Sequence, residues 1–249
     1  MEKNRDIRIG IIGAMEVETE LLRSEMTKDN DKGNDAGNVK VSERAGMTFY
    51  EGRIGGVSTV LVRSGVGKVN AAACTQILAD VYGVTHLINT GVAGSLNNAA
   101  DIGDIVVSTC AMHHDVDAAV FGYAKGEVPQ MGIKAFPADP WLVRQAADAC
   151  RKAAPDISVF EGMVLSGDQF ISERARKNLI ADTFGGMCVE MEGAAIAQTA
   201  YINKIPFVII RAISDKADES VQVSYDEFEG KAARHCAALV VNLLENLEV

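Results

Sequence analysis

Carboxylates recur in three short segments of this chain, each set among apolar residues: Met15-Glu16-Val17-Glu18, Val189-Glu190-Met191-Glu192 and Ala212-Ile213-Ser214-Asp215. Burial beside methionine raises a carboxyl pKa, which makes acid and base roles available near neutral pH. Such a set suits hydrolysis through an oxocarbenium-like transition state. One carboxyl would protonate the leaving group, another would activate water and a third would hold hydroxyls. A single glutamate at a helix start is commonly just a partner of the helix dipole. Three groups at three strand ends are harder to dismiss. Spacing alone does not say which glutamate takes which role, nor whether the sugar carries a base or another sugar.

The pattern of the chain says what must position these groups. Ile7 to Ala14 is a near-continuous apolar run, suited to a strand buried on both faces. Val17, Leu21, Leu22 and Met26 then step at helical spacing, and Thr27 to Asn38 reads as a polar surface loop. Thr48–Ile54 and Val57–Arg63 are strands joined by Gly55-Gly56, a hairpin signal. A helix of small residues follows, Val69 to Ala79. His86–Thr90 is a strand ending in Gly91-Val92-Ala93-Gly94, and Asp104–Thr109 is another. Asp139-Pro140 opens a helix with a cap and a first-turn proline. Gly162–Leu165 reads as a strand, Ala194–Tyr201 as a helix and Pro206–Ala212 as the last buried strand. Ser224-x-x-Glu227 reads as a capping box for a C-terminal helix with Phe228, Ala232, Cys236, Leu239, Leu243 and Leu247 on one stripe. Strands alternating with helices, plus one hairpin, predict a single α/β domain over residues 1–249, with a twisted mixed central sheet flanked by helices. In open α/β sheets ligands bind beyond the carboxyl ends of the strands, where the carboxylates and glycines of this chain fall.

The 249 residues carry 24 Lys+Arg against 34 Asp+Glu, a net charge of −10, so a nucleic-acid partner is not expected. Five scattered cysteines offer neither a zinc knuckle nor a disulfide framework. His113 and His114 are adjacent; on a strand they would point to opposite faces and would not chelate a metal together. No metal and no cofactor is expected. No apolar stretch approaches ~18 residues and the start lacks a signal peptide's apolar core, so no membrane partner and a cytoplasmic location are expected. Gly65-x-Gly67-Lys68 lacks the first glycine and the hydroxyl of a P-loop, with Val62 and Val69 in those places. Gly91-x-x-Gly94 is no dinucleotide fingerprint. Both read as glycines for turns and close backbone approach.

Five motifs occur in order: Gly10-Ile11-Ile12-Gly13-Ala14-Met15-Glu16, Ser64-Gly65-Val66-Gly67-Lys68, Ser166-Gly167-Asp168-x-Phe170-Ile171, Val189-Glu190-Met191-Glu192 and Arg211-Ala212-Ile213-Ser214-Asp215. Together they resemble the 5′-methylthioadenosine/S-adenosylhomocysteine nucleosidases of the purine and uridine phosphorylase superfamily. The resemblance runs from Ile7 to the C-terminal helix. It implies a hydrolase of the N-glycosidic bond to adenine, acting on a small nucleoside. On this resemblance Glu18 would activate water and Asp215 would protonate adenine at N7, oriented by Ser214. Glu192 would hold the ribose hydroxyls, helped by Met191 and Met15. Phe170 would stack on the adenine while the Ile171 backbone reads its edge. Gly94, Val92 and Ala93 would form the floor, and Val66 and Tyr225 would face the 5′-thio group. Phe121 and Pro129 would come from the neighbouring subunit of a homodimer.

Three positions depart from the family's pattern. Val92 replaces a small hydroxyl residue, Tyr225 stands where phenylalanine is common, and Gly94-Ser95 replaces Gly-Gly. These touch substrate preference more than chemistry. The rivals are a purine nucleoside phosphorylase or a futalosine-type hydrolase on the same fold, and a non-catalytic nucleoside-binding protein. Phosphorylases of this fold typically place arginines on the first and third loops to hold phosphate. Here those stretches offer Glu16, Glu18 and Asn89, and a carboxylate in that place favours a neutral nucleophile.

Overall fold

The computed structural model describes residues 7–30, 39–218 and 221–247. The chain runs β1 (Arg8–Gly13), α1 (Glu16–Asn30), β2 (Lys40–Arg44), β3 (Met47–Ile54), β4 (Val57–Arg63), α2 (Lys68–Asp80), β5 (His86–Ser95) and β6 (Ile105–His113). A 3-10 turn at Ala119–Phe121 leads to β7 (Phe136–Pro137), α3 (Pro140–Ala153), β8 (Val159–Ser166), α4 (Arg174–Phe184), β9 (Cys188–Glu190), α5 (Gly193–Asn203), β10 (Phe207–Asp215) and α6 (Val221–Glu245).

One mixed sheet, ordered β10-β6-β8-β9-β5-β1-β4-β3-β2, carries all the strands, with β7 on β6. Because β10 also pairs with β5, the strands β5, β10, β6, β8 and β9 close into a ring instead of ending in two free edges. The parallel neighbours β4, β1, β5 and β10 form the buried spine. All nine residues of β10 are buried, as expected of a parallel strand covered on both faces. Helices α1, α3 and α6 pack together on one side, and α2 packs on α5. Among the described residues no helix is long and apolar enough to cross a membrane.

Local chemistry explains most boundaries. The β3–β4 hairpin pairs Ile54 with Val57 across Gly55 and Gly56, at φ 57 and 78. A two-residue turn of that hand requires positive φ at both positions, which glycine adopts freely. Asp139 caps α3, its side chain accepting from the amides of Trp141 at 3.0 Å and Leu142 at 2.9 Å. On α6 the predicted stripe is real: Ala232, Cys236, Leu239 and Leu243 are buried and Leu247 packs against the core.

The structure corrects several sequence expectations. Helix α1 extends through Asn30, so the first part of the Thr27–Asn38 stretch is helical, and residues 31–38 lie outside the described ones. Strand β5 does not stop at Thr90: Gly91 to Ser95 keep the extended ladder because β10 and then β9 pair with them. Strand β6 likewise continues to His113. Helix α6 begins at Val221, so Ser224 lies within it and is not its cap. Strand β2 and helix α4 carry no signal that the apolar period could detect. The burial pattern of β2 is almost entirely exposed, as suits a charged sheet edge, and α4 buries only Lys177 and Ile180.

Candidate active site

The carboxyl ends of β1, β5, β9 and β10 open onto one concave cleft lined mainly by apolar side chains with a few convergent carboxyls, the usual make-up of a small-molecule site. Met15, Glu18, Val66, Val92, Ala93, Gly94, Phe170, Ile171, Met191, Glu192, Ser214 and Asp215 all line it. Phe121 and Pro129 do not; Phe121 is 80% exposed on the 3-10 turn, and Pro129 is exposed as well. Tyr225 lies on α6, but its side chain falls outside the described residues.

Glu18 sits in the first turn of α1, directly after β1, and is 4% exposed. Its Oε2 accepts from the amides of Ala14 (2.6 Å) and Met15 (2.9 Å), and its Oε1 from the amide of Val92 (3.2 Å). Burial pushes its pKa above the ordinary carboxylate range, against the pull of the Arg211 guanidinium and these three amides. Asp215, at the end of β10, is 2% exposed. Its Oδ2 accepts from the Ser214 hydroxyl at 2.8 Å and its Oδ1 from the Ala217 amide at 2.7 Å. Burial raises its pKa too, while these two donors oppose the rise. An upward shift of this kind moves a carboxyl in the direction a general acid needs.

The glycines of β5 now have a specific purpose. A Cβ on Gly91 would lie 2.3 Å from Glu18 Oε1, and one on Gly94 would lie 2.8 Å from Asp215 Oδ1. Both distances are far inside van der Waals contact, and both carboxylates are pinned by hydrogen bonds. One strand therefore admits two acidic groups by leaving out two side chains. Ser95 follows this pair but does not face the cleft. Its hydroxyl donates to the carbonyls of Asn97 (2.7 Å) and Ala100 (3.0 Å), so the expected effect of Ser95 on substrate preference has no contact behind it.

Glu192 is 6% exposed, and its Oε1 accepts from the Gly67 amide at 2.7 Å. Burial, and next the neighbouring Glu190 carboxylate, push its pKa up to about 8. A group raised in this way adds stability that is fully present below about pH 4.5 and is lost as pH rises through about 8. Glu192→Gln should therefore lose less stability than the parent protein between pH 6 and pH 9, the share that belongs to Glu192 being absent. Calorimetry across that range decides; parallel curves for the two proteins would refute it.

The family model described as the phosphorylase superfamily matches residues 8–245. A 5′-methylthioadenosine/S-adenosylhomocysteine nucleosidase from an Exiguobacterium species is 43% identical over 243 residues, which is 97% of this chain and 99% of the relative. The chain belongs to this nucleosidase family. The crystal structure of the Neisseria meningitidis nucleosidase in complex with methylthio-immucillin-A superposes with a TM-score of 0.89 at 41% identity, covering 96% of this chain and 99% of that one. A futalosine hydrolase from Helicobacter pylori shares the fold at a TM-score of 0.88 but only 28% identity, with coverage of 98% and 100%.

In the wall of the cleft of this nucleosidase-family chain, which Glu190 also lines, lies a charge cluster that the sequence did not expose as a unit. Glu190 accepts from the Ser166 hydroxyl, from the amides of Glu192 (3.1 Å) and Gly193 (2.8 Å), and from Arg211 Nη2 at 2.5 Å. Arg211 is 2% exposed, and its Nη2 also reaches Asn89 Oδ1 at 2.5 Å. The carboxylates of Glu190, Glu18 and Glu192 hold its guanidinium firmly charged against burial. Glu16 is not part of this set. It lies at the surface, paired with Arg23 at 2.9 Å. The expected contrast with a phosphorylase thus rests on Glu18 and on Asn89, which accepts from Arg211 Nη2. His113 and His114 separate as predicted: His113 Nε2 pairs with Gln198 Oε1 at 2.9 Å, while the His114 ring packs on Gly167.

Removing one member of a buried ion pair strands its partners. Arg211→Met should lower unfolding free energy at pH 7 by about 3–5 kcal/mol. The deficit should shrink at acidic pH, where the stranded carboxyls take up protons. Urea titration at two pH values measures both; a deficit independent of pH would show that lost packing, not charge, is the cause.

Proposed function

We propose that the protein hydrolyses the N-glycosidic bond of 5′-methylthioadenosine and S-adenosylhomocysteine, releasing adenine and the 5-thioribose product. The observation that carries this reading is the convergence of two buried, pKa-raised carboxyls, Glu18 and Asp215, with Glu192 in one cleft. Asp215, with Ser214 fixing its orientation, donates a proton to adenine N7 as the C1′–N9 bond lengthens. Positive charge grows on the ribose ring. Glu18 removes a proton from a water as its oxygen bonds to C1′, and Glu192 holds the ribose hydroxyls with Met191 and Met15 packed beside them. Phe170 stacks on the base, the Ile171 backbone reads its edge, and Val92, Ala93 and Gly94 form the floor. Val66 faces the 5′ group.

Electrostatics supports water over phosphate. Arg211 does not line the cleft, its Nη2 is bonded to Glu190 and Asn89, and Glu190 and Glu18 stand closest to its charge, so an arriving dianion would meet carboxylates before any free cation. The working unit of this reading is one domain, paired in a homodimer to which the neighbouring Phe121 and Pro129 contribute at the 5′ pocket. Val120 and Phe121, 87% and 80% exposed, give that pairing an apolar contact.

The reading is tested by following adenine release from 5′-methylthioadenosine, S-adenosylhomocysteine and a nucleoside with a carboxylated 5′ extension. Release from the two thionucleosides with the highest kcat/KM is expected. Preference for the carboxylated substrate would select the futalosine-type rival, and saturable binding without release would select a binding protein.

A further inference from the structure

Two loops far apart in sequence border the cleft. Residues 64–68 supply Val66, and the Gly67 amide that bonds Glu192; residues 166–171 supply Gln169, Phe170 and Ile171. Asp115 lines no part of the cleft yet joins both loops. Its Oδ1 accepts from Lys68 Nζ at 2.7 Å and its Oδ2 from the Asp168 amide at 3.0 Å. Asp168 Oδ1 in turn accepts from the Lys68 amide at 2.8 Å. The three residues therefore form a closed ring of hydrogen bonds, one of them an ion pair.

Ion pairs at a protein surface usually contribute little. This one differs in three respects. The Lys68 and Asp115 side chains are only 20% and 17% exposed, which limits screening by solvent. Asp115 uses both oxygens, so it fixes direction as well as distance. Closure of the ring also means that neither loop can shift without breaking a charged contact. Backbone geometry agrees: Gly67 stands at φ 95, and a Cβ there would come within 3.1 Å of Asp168 Oδ1. The loops touch at a place that only glycine permits.

We propose that Asp115 is a positioning residue for the reaction: through Lys68 and Asp168 it sets the separation of the Val66 and Phe170 loops, and so the affinity of the cleft for its nucleoside. The proposal rests on the nucleosidase reading for its kinetic consequence but not for its structural one. Since Asp115 touches neither the reacting atoms nor Glu18 or Asp215, its loss should act on binding and spare the chemical step.

Asp115→Ala is expected to raise KM for 5′-methylthioadenosine about tenfold, the scale of one charge-assisted hydrogen bond, with kcat within about twofold of the parent. Asp115→Asn, which keeps an acceptor for the Asp168 amide, should recover part of the loss. Lys68→Met combined with Asp115→Ala should be no worse than the poorer single variant, since both open the same ring. Hydrogen exchange of the amides from 167 to 171 should quicken in Asp115→Ala while the melting temperature stays near that of the parent. Unchanged KM, additive losses in the double variant, or unchanged exchange would each overturn the proposal. Were the parent protein to release no adenine at all, the functional reading would fail while the exchange measurement still decided the ring.

Discussion

Asp215→Asn is expected to lower kcat for adenine release by about 10³-fold, within the usual span for loss of a general acid. Substrate affinity should change by no more than a few-fold. The reasons are steric as well as chemical. Asparagine has nearly the same shape, and its carbonyl can still accept from the Ala217 amide or the Ser214 hydroxyl, the two donors that hold the native side chain. The β5 glycine beneath it, Gly94, leaves the same room. What is lost is the transferable proton. Stability should not fall: burial raises the native carboxyl's pKa, so ionising it costs stability as pH rises, and asparagine does not ionise. Single-turnover measurement separates the chemical step from binding. Turnover near the parent level would mean that another group protonates the base.

Glu18→Gln should cost about 10²–10⁴-fold in kcat, and it should also change the shape of the pH profile. In the proposed roles Glu18 takes a proton from water in its ionised form, so the rate is expected to fall as pH drops through its raised pKa. Asp215 acts in its protonated form in the same proposal, so the rate is expected to fall as pH rises through its own raised pKa. The profile is a bell. Glutamine in place of Glu18 should remove the acidic limb and leave the alkaline one, and Asp215→Asn should do the reverse. Some stability is also expected to be lost with glutamine. Three amides converge on the native carboxylate, and a glutamine NH₂ must face at least one of them, a donor set against a donor. Loss of the alkaline limb in Glu18→Gln would exchange the two assignments.

The features legible in the sequence share one property: they depend on neighbours in the chain. The buried run of β10, the capped start of α3, the Gly55-Gly56 turn and the stripe on α6 are local patterns with local causes. That carboxylates near Glu16 and Glu18, Glu190 and Glu192, and Asp215 would gather at a ligand site was legible because strand ends in an α/β fold face the ligand; the choice of Glu18 and Glu192 among them came from the family resemblance alone. The rest depends on contacts across the fold. Glu190 is one letter in a motif until Ser166 and Arg211, 24 and 21 residues away, converge on it. Gly91 and Gly94 read as permissive backbone until two carboxylates are found against them. Strand β2 escaped because an exposed, charged edge has no apolar period, and the closure of the sheet through β5 and β10 escaped because pairing order is not written locally.

The central claim is that water, not phosphate, completes the reaction. The direct measurement is the rate of adenine release from 5′-methylthioadenosine in phosphate-free buffer and again with phosphate added, with the sugar product identified by phosphorus NMR and a reducing-sugar assay. Equal rates in both buffers and one reducing sugar per adenine are expected. Release that requires phosphate, with a sugar 1-phosphate as product, would contradict that claim.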